Sequence, residues 1–179
     1  MNIVKERIAI DAALDNYREQ LDTIPDEMFT LTPLDGGWSY AEVYSHILQA
    51  TLGSAIALDR CTHDNCRPTK DGLNLFGKFM LLTGVFPRVK MPERVGTKMP
   101  ALKISKEEAR NLIIKCRKRM EDIAPLIKDA PSTSRHKHPR LGMLNAPQWF
   151  KFIRIHLQHH LKQLDRIRKK IKLNETFYI

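Results

Sequence analysis

Apolar residues recur along the chain at steps of three and four, the mark of helices that bury one face. Ile3, Ile10, Leu14, Tyr17, Leu21 and Ile24 fall on one such face and predict a helix over about 2–23, stopped by Pro25 and Asp26. "TPLDGGWSYAE" then reads as a loop. It ends in "SYAE", a capping box in which Ser39 and Glu42 satisfy free backbone donors reciprocally. A second helix is predicted over about 40–61, with Val43, His46, Ala50 and Ala57 on one line. Residues 62–104 are irregular and rich in proline and glycine, with a short helix expected inside "GLNLFGKFMLLTGVF"; the segment is read as a lid or flank. Ser105 opens a second capping box, "SKEE", and Ala109, Leu112, Cys116, Met120, Ile123 and Ile127 trace a third helix. "KDAPSTSRHKHPRLGML" reads as loop. Asn145 caps a fourth helix, with Gln148 at the reciprocal position and Pro147 in the first turn, and this helix is expected to reach about Ile171 or slightly beyond.

Four long helical stretches without a convincing alternating strand predict an all-α fold: a four-helix bundle with a long connection between the second and third helices. That connection suggests a crossover rather than a simple up-down path. The length of 179 residues suits one domain, taken as 1–179, and is enough to bury a core. The longest apolar runs fall far short of the roughly 20 residues that cross a bilayer. The N-terminal "MNIVKERIAIDAAL" lacks the apolar core of a signal peptide, so a cytoplasmic location is expected. Three cysteines argue against a disulfide framework. The net charge of +10 is spread along the chain. Its densest run, Arg166, Arg168, Lys169, Lys170 and Lys172, suits the end of a helix dipole and a solvated surface better than a nucleic-acid site.

The pattern breaks its own rule on the fourth helix. Its inward stripe is Trp149, Ile153, His156, His160, Leu164, Ile167 and Ile171, so two consecutive core positions are histidine. Side chains four apart stack on one helix face and can converge on one ion. His46, on the line of the second helix, can point into the same core, whereas His159 lies off the stripe. An unpartnered polar ring costs on the order of 1–3 kcal/mol to bury, and a metal ion would turn that cost into binding energy. His46, His156 and His160 are therefore the candidate metal ligands, in the three-ligand arrangement that leaves an open position. Imidazole donors suit zinc, nickel, copper or iron. An ion so held lowers the pKa of a ligated water or thiol, so hydrolysis and thiol transfer are adjacent chemistries.

Other patterns weigh less. Leu157 after His156 excludes HExxH, and the apolar residues three before each histidine exclude the ExxH of di-iron bundles. There is no phosphate-binding glycine loop and no nucleophile elbow. Cys61, His63 and Cys66 in "CTHDNC" lack the second pair that a zinc knuckle requires. Gln163 or Glu42 can bond a free imidazole nitrogen, although the capping box already occupies Glu42. His138 can serve as an acid or base at the open end of the bundle or stand in solvent. Cys116 fits core packing.

"GGWSYAEVYSHILQA" and "HPRLGMLNAPQWFKFIRIHLQHHLKQLDRI" together resemble the second- and last-helix motifs of DinB/YfiT-like proteins. The first has Trp-Ser before a helix and an inward His seven residues after the Ser; the second has H-x3-H. The resemblance implies a bundle holding a divalent metal, zinc or nickel, on His46, His156 and His160. It implies a homodimer, and a small-molecule substrate such as a low-molecular-weight thiol, in a metal-dependent thiol transferase or hydrolase. Catalytic residues beyond the ligands stay unassigned. The alternatives are a bundle that binds metal without catalysis and a basic nucleic-acid binder; no nucleic-acid or membrane partner is expected.

Overall fold

The computed structural model describes residues 1–33, 36–66, 68–86 and 102–176, with side chains described as far as Lys170. Helix α1 (Ile3–Thr23) starts where the Asn2 side chain accepts from the Lys5 N–H at 3.0 Å. It buries Ile10, Leu14, Tyr17 and Leu21, as the spacing requires. Pro25 ends it and opens a single turn, α2 (Asp26–Phe29). Helix α3 (Tyr40–Thr62) begins with both halves of its capping box formed: the Ser39 N–H donates to Glu42 Oε2 at 2.8 Å, and the Glu42 N–H donates to Ser39 Oγ at 3.3 Å.

The short helix expected in the irregular segment is α4 (Leu75–Thr83), capped by Asn74 and ended by Gly84 in the left-handed region. Residues 87–101, a large part of the rest of the expected lid or flank, lie outside the described residues. Helix α5 (Lys106–Ile123) carries the second capping box and runs into a 3-10 turn, Ala124–Asp129. Pro125 has no N–H to continue the α ladder, which accounts for the tighter turn.

The stretch expected as loop after the third helix departs from that reading. Arg135–His138 (β1) and Gly142–Asn145 (β2) form an antiparallel hairpin, with Arg135 opposite Asn145 and His138 opposite Gly142. The reason it escapes the pattern is chemical. β1 reads Arg-His-Lys-His, with no apolar alternation, and the hairpin is held from outside. The Asn74 N–H donates to the Leu141 carbonyl and the Met143 N–H to the Gly72 carbonyl, both at 2.9 Å. Gly142 sits at φ +90°, where a Cβ would stand 2.5 Å from that Gly72 carbonyl, so only glycine fits.

Helix α6 (Ala146–Thr176) follows directly from β2. Its start is the reciprocal cap expected: Asn145 N–H to Gln148 Oε1 at 3.0 Å and Gln148 N–H to Asn145 Oδ1 at 3.1 Å. The side chains of Ile171 and Lys172 lie outside those described, while Arg166, Arg168, Lys169 and Lys170 are exposed.

The protein is thus a four-helix bundle with a small two-stranded sheet. α6 and α5 each pack against both α1 and α3. The order around the bundle is therefore α1, α6, α3, α5. The long connection joins neighbours, α3 and α5, while the two shorter ones, α1 to α3 and α5 to α6, cross the bundle. α1 and α3 meet across the centre through two buried tyrosines. The Tyr44 hydroxyl donates to the Tyr17 carbonyl at 2.7 Å, and the Tyr17 hydroxyl donates to the Leu157 carbonyl at 2.8 Å. Three helices are thereby pinned in axial register, two residues before His46 and one after His156.

Candidate metal centre

α3 delivers His46 in its second turn, and α6 delivers His156 and His160 one turn apart. The three rings meet between those helices. Centroids lie 4.9 Å apart for His46 and His160, 5.6 Å for His46 and His156, and 4.8 Å for His156 and His160. One ring nitrogen from each lies within 4.8 Å of the others. His160 is buried; His46 and His156 are partly so. The sequence-predicted trio comes together as a group, and His159 stays outside it, its ring 4.6 Å from that of Phe86.

The nitrogens are oriented as well as close. The Nδ1 of His160 donates to Gln163 Oε1 at 2.7 Å, which leaves the lone pair on Nε2. That Nε2 faces the Nε2 of His156 at 3.1 Å. Two nitrogens on one tetrahedral ion, each about 2.0–2.1 Å from it, are roughly 3.3 Å apart, so this pair already has the spacing of two ligands. His46 Nδ1 is buried with no hydrogen-bond partner among the described residues. A three-imidazole set with one such orphaned atom fits a divalent ion better than it fits an apolar core.

Burial pushes the His160 imidazole down to about 3, helped by the rings of His46 and His159 and opposed by the Gln163 bond. Burial, then His160 and His46, hold His156 well below the usual histidine value, and burial lowers His46. All three are neutral at neutral pH, the protonation state that a metal ligand needs.

Apolar rings wall the group. Trp38, just before the α3 cap, packs on His46 at 4.9 Å. Phe152 stacks on His156 at 5.2 Å, and Phe86 lies 5.5 Å from the same ring. His138 of β1 packs edge-on against Phe152, their rings 4.6 Å apart, and Phe152 in turn stacks on His156. The Nδ1 of His138 accepts from the Arg140 N–H at 3.1 Å, and burial, with Arg140 nearby, lowers it to about 4. It is a neutral imidazole in the wall rather than a solvent-exposed loop residue.

The remaining candidates resolve plainly. Gln163 is the partner of an imidazole, and Glu42 is held by its capping box. Cys116 is buried core, its thiol donating to the Leu48 carbonyl at 3.5 Å. His63 turns back onto its own helix, Nδ1 3.0 Å from the Asp59 carbonyl. Sequence reasoning missed Phe152 and Phe86 as wall residues. Phe152 stands four before His156, a spacing that could have revealed it; Phe86 gives no such signal.

Solved structures share this architecture. The four-helix bundle protein TT2238 superposes with a TM-score of 0.61 at 17% identity, over 92% of this chain and 99% of that one. YfiT from Bacillus subtilis, described as a probable metal-dependent hydrolase with an unusual four-helix bundle topology, gives 0.64 at 11% identity over 95% and 87%. A mycothiol-dependent maleylpyruvate isomerase gives 0.50 at 15% identity, over 90% of this chain and 60% of that enzyme. At such identities the likeness is one of fold. No curated protein matches the chain in sequence. The sequence profile of the DinB superfamily matches residues 9–164, a span that takes in all three histidines, and the chain belongs to that superfamily.

Proposed function

We propose that the protein holds a divalent ion, zinc or nickel, on His46, His156 and His160, and uses it in thiol transfer or hydrolysis of a small molecule. The observation that carries this is the pair of Nε2 atoms 3.1 Å apart, one fixed by Gln163, with the His46 ring beside them. When bound, such an ion supplies Lewis acidity at its open coordination position. The chain's own residues do the rest. Gln163 holds the His160 tautomer, and the axial pins through Tyr17 and Tyr44 hold α3 and α6 at the register that brings the rings together. Trp38, Phe86 and Phe152 limit water around the group, and the partly exposed Trp38 and Phe86 offer apolar surface to a substrate.

Support for a thiol as substrate or co-substrate comes from the mycothiol-dependent neighbour, and support for hydrolysis from the description of YfiT. The same reading takes the protein as a cytoplasmic homodimer, with nucleic acid no partner; sedimentation measures the first of these and a salt titration with oligonucleotides the last.

The test has two arms. Elemental analysis of purified protein is expected to find one zinc or nickel per chain. A panel of low-molecular-weight thiols with electrophiles, and of esters and amides, is expected to show turnover that His156→Ala abolishes. Absence of metal from the protein, even after loading, removes the reading. Bound metal without turnover on either panel leaves a bundle that binds the ion and does no chemistry with it.

A further inference from the structure

A second cluster of reactive side chains lies at the far end of α3, apart from the histidines. Cys61, in the last turn of that helix, is fully buried, and its Sγ approaches the Leu144 carbonyl at 3.7 Å. Cys66, on the turn that follows, is partly exposed. Both are free thiols, and their sulfurs are 3.9 Å apart. The turn between them is shaped to bring Cys66 back over the helix end. Asp64 takes a left-handed conformation, φ 52°, and the Asn65 N–H donates to the Arg60 carbonyl at 2.9 Å. The pair has no third ligand: His63 is turned to Asp59, and among the described residues the histidine trio is the group able to hold an ion.

A disulfide needs its sulfurs about 2.05 Å apart, so they must approach by about 1.9 Å from the 3.9 Å observed. Only Cys66 has to move, and it sits on a turn rather than in a packed helix. We propose that Cys61 and Cys66 close reversibly into an intramolecular disulfide by exchange with a low-molecular-weight disulfide such as glutathione disulfide.

The thiolate of Cys66, the accessible sulfur, attacks one sulfur of glutathione disulfide. The S–S bond breaks, one glutathione leaves as thiolate and takes a proton from solvent, and Cys66 carries the other as a mixed disulfide. Cys61 then gives its proton to solvent and attacks the Cys66 sulfur, and the second glutathione leaves. The protein dithiol loses two electrons and two protons, and one disulfide becomes two thiols. Burial, then Cys66 beside it, pushes the Cys61 thiol up to about 12 in the reduced protein, and the burial remains once Cys66 carries glutathione, so the second step is the slow one. The clip would form where several elements join. Cys61 touches β2, and the segment beyond Cys66 pairs Pro68 with Ser134, just before the hairpin that carries His138, and Leu73 with Gly142 within it.

The test uses the reduced full-length protein with excess glutathione disulfide at pH 8, quenched with acid and read by intact mass and peptide mapping. The expected course is a glutathione adduct on Cys66 that appears first and is then lost. The end product is two hydrogens lighter than the starting protein, has Cys61 linked to Cys66 and keeps Cys116 as the one free thiol. Dithiothreitol restores the starting mass, and Cys61→Ser stops at the adduct. Wild-type protein that stays reduced, or that ends as a stable adduct with Cys61 free, overturns the proposal. Both of those outcomes are read on the wild type alone, so misfolding of a variant does not rescue the disulfide.

Discussion

Two clusters of ligand-type side chains contrast within one molecule. Cys61, His63 and Cys66 are close in sequence, yet they do not form a three-donor site: one thiol is buried, one rides a turn, and the imidazole folds back on Asp59. His46 is more than a hundred residues from His156 and His160, yet those three rings converge. Nearness along a chain does not aim side chains. Two packed helices in fixed register do, because each helix presents one face and packing decides which faces meet.

The sharpest way to break that contrast is to remove one donor from each cluster. His160→Ala should abolish stoichiometric metal binding, an affinity loss beyond the roughly 10–100-fold expected of outer-shell changes. His63→Ala should leave metal content unchanged. Elemental analysis after gel filtration, with competition against a chelator for the affinities, reads both. Equal losses would mean that the histidine trio is not the site.

Next in size is the partner of an imidazole. Gln163→Leu removes the acceptor that fixes the His160 tautomer and should weaken metal affinity by about 10–100-fold with the fold intact, as read by chelator competition and circular dichroism. Cys66→Ser, the corresponding loss of a partner in the other cluster, should leave metal affinity unchanged.

How much of this was legible in the sequence follows from the same physics. The capping boxes at Ser39 and Ser105 and the reciprocal cap at Asn145 are local chemistry, readable in four residues, and all three form. The stripes of α1, α5 and α6 are periodic and survive, although Ile113 beside Leu112 widens that of α5. The hairpin was invisible because β1 is polar and the bonds that anchor its turn and second strand, at Leu141 and Met143, reach to residues 72–74, sixty and more positions away. For the same reason the two tyrosine pins had no signature: each links a side chain to a distant carbonyl. The donor trio was legible because an imidazole on an apolar stripe is an anomaly that one line of sequence displays; of its walls only Phe152, four before His156, had a spacing to betray it, while Trp38 and Phe86 lie outside the helices and carry no periodic signal.

Acid should separate the clusters next. His160 is held at about 3, and an unfolded histidine titrates near ~6.5. As the pH falls below the unfolded value, the unfolded chain takes up protons that the folded chain refuses, so stability rises with pH across this window. The contribution is complete above about 6.5 and is lost on the way down toward 3. At pH 5 the loss from His160 alone is about 2 kcal/mol relative to pH 7.5, read as a lower urea midpoint for metal-free protein. His160→Ala should make that dependence shallower without abolishing it, because His156 and His46 are also held below the usual histidine value. His63→Ala should leave it unchanged.

The smallest effect tests the register argument directly. Tyr44→Phe removes one buried donor and leaves the Tyr17 carbonyl free to keep any bond within its own helix, so no charge is stranded. The cost should be about 1 kcal/mol in urea unfolding, typical of one net hydrogen bond. Because that bond ties α3 to α1, which in turn holds the Leu157 carbonyl beside His156, its loss should also loosen the donor trio and lower metal affinity a few-fold. The thiol pair lies on one helix end and its own turn, so its closure rate with glutathione disulfide should not change. A Tyr44→Phe protein that loses stability but keeps full metal affinity would show that packing alone, without the hydroxyl pins, sets the register on which the three imidazoles depend.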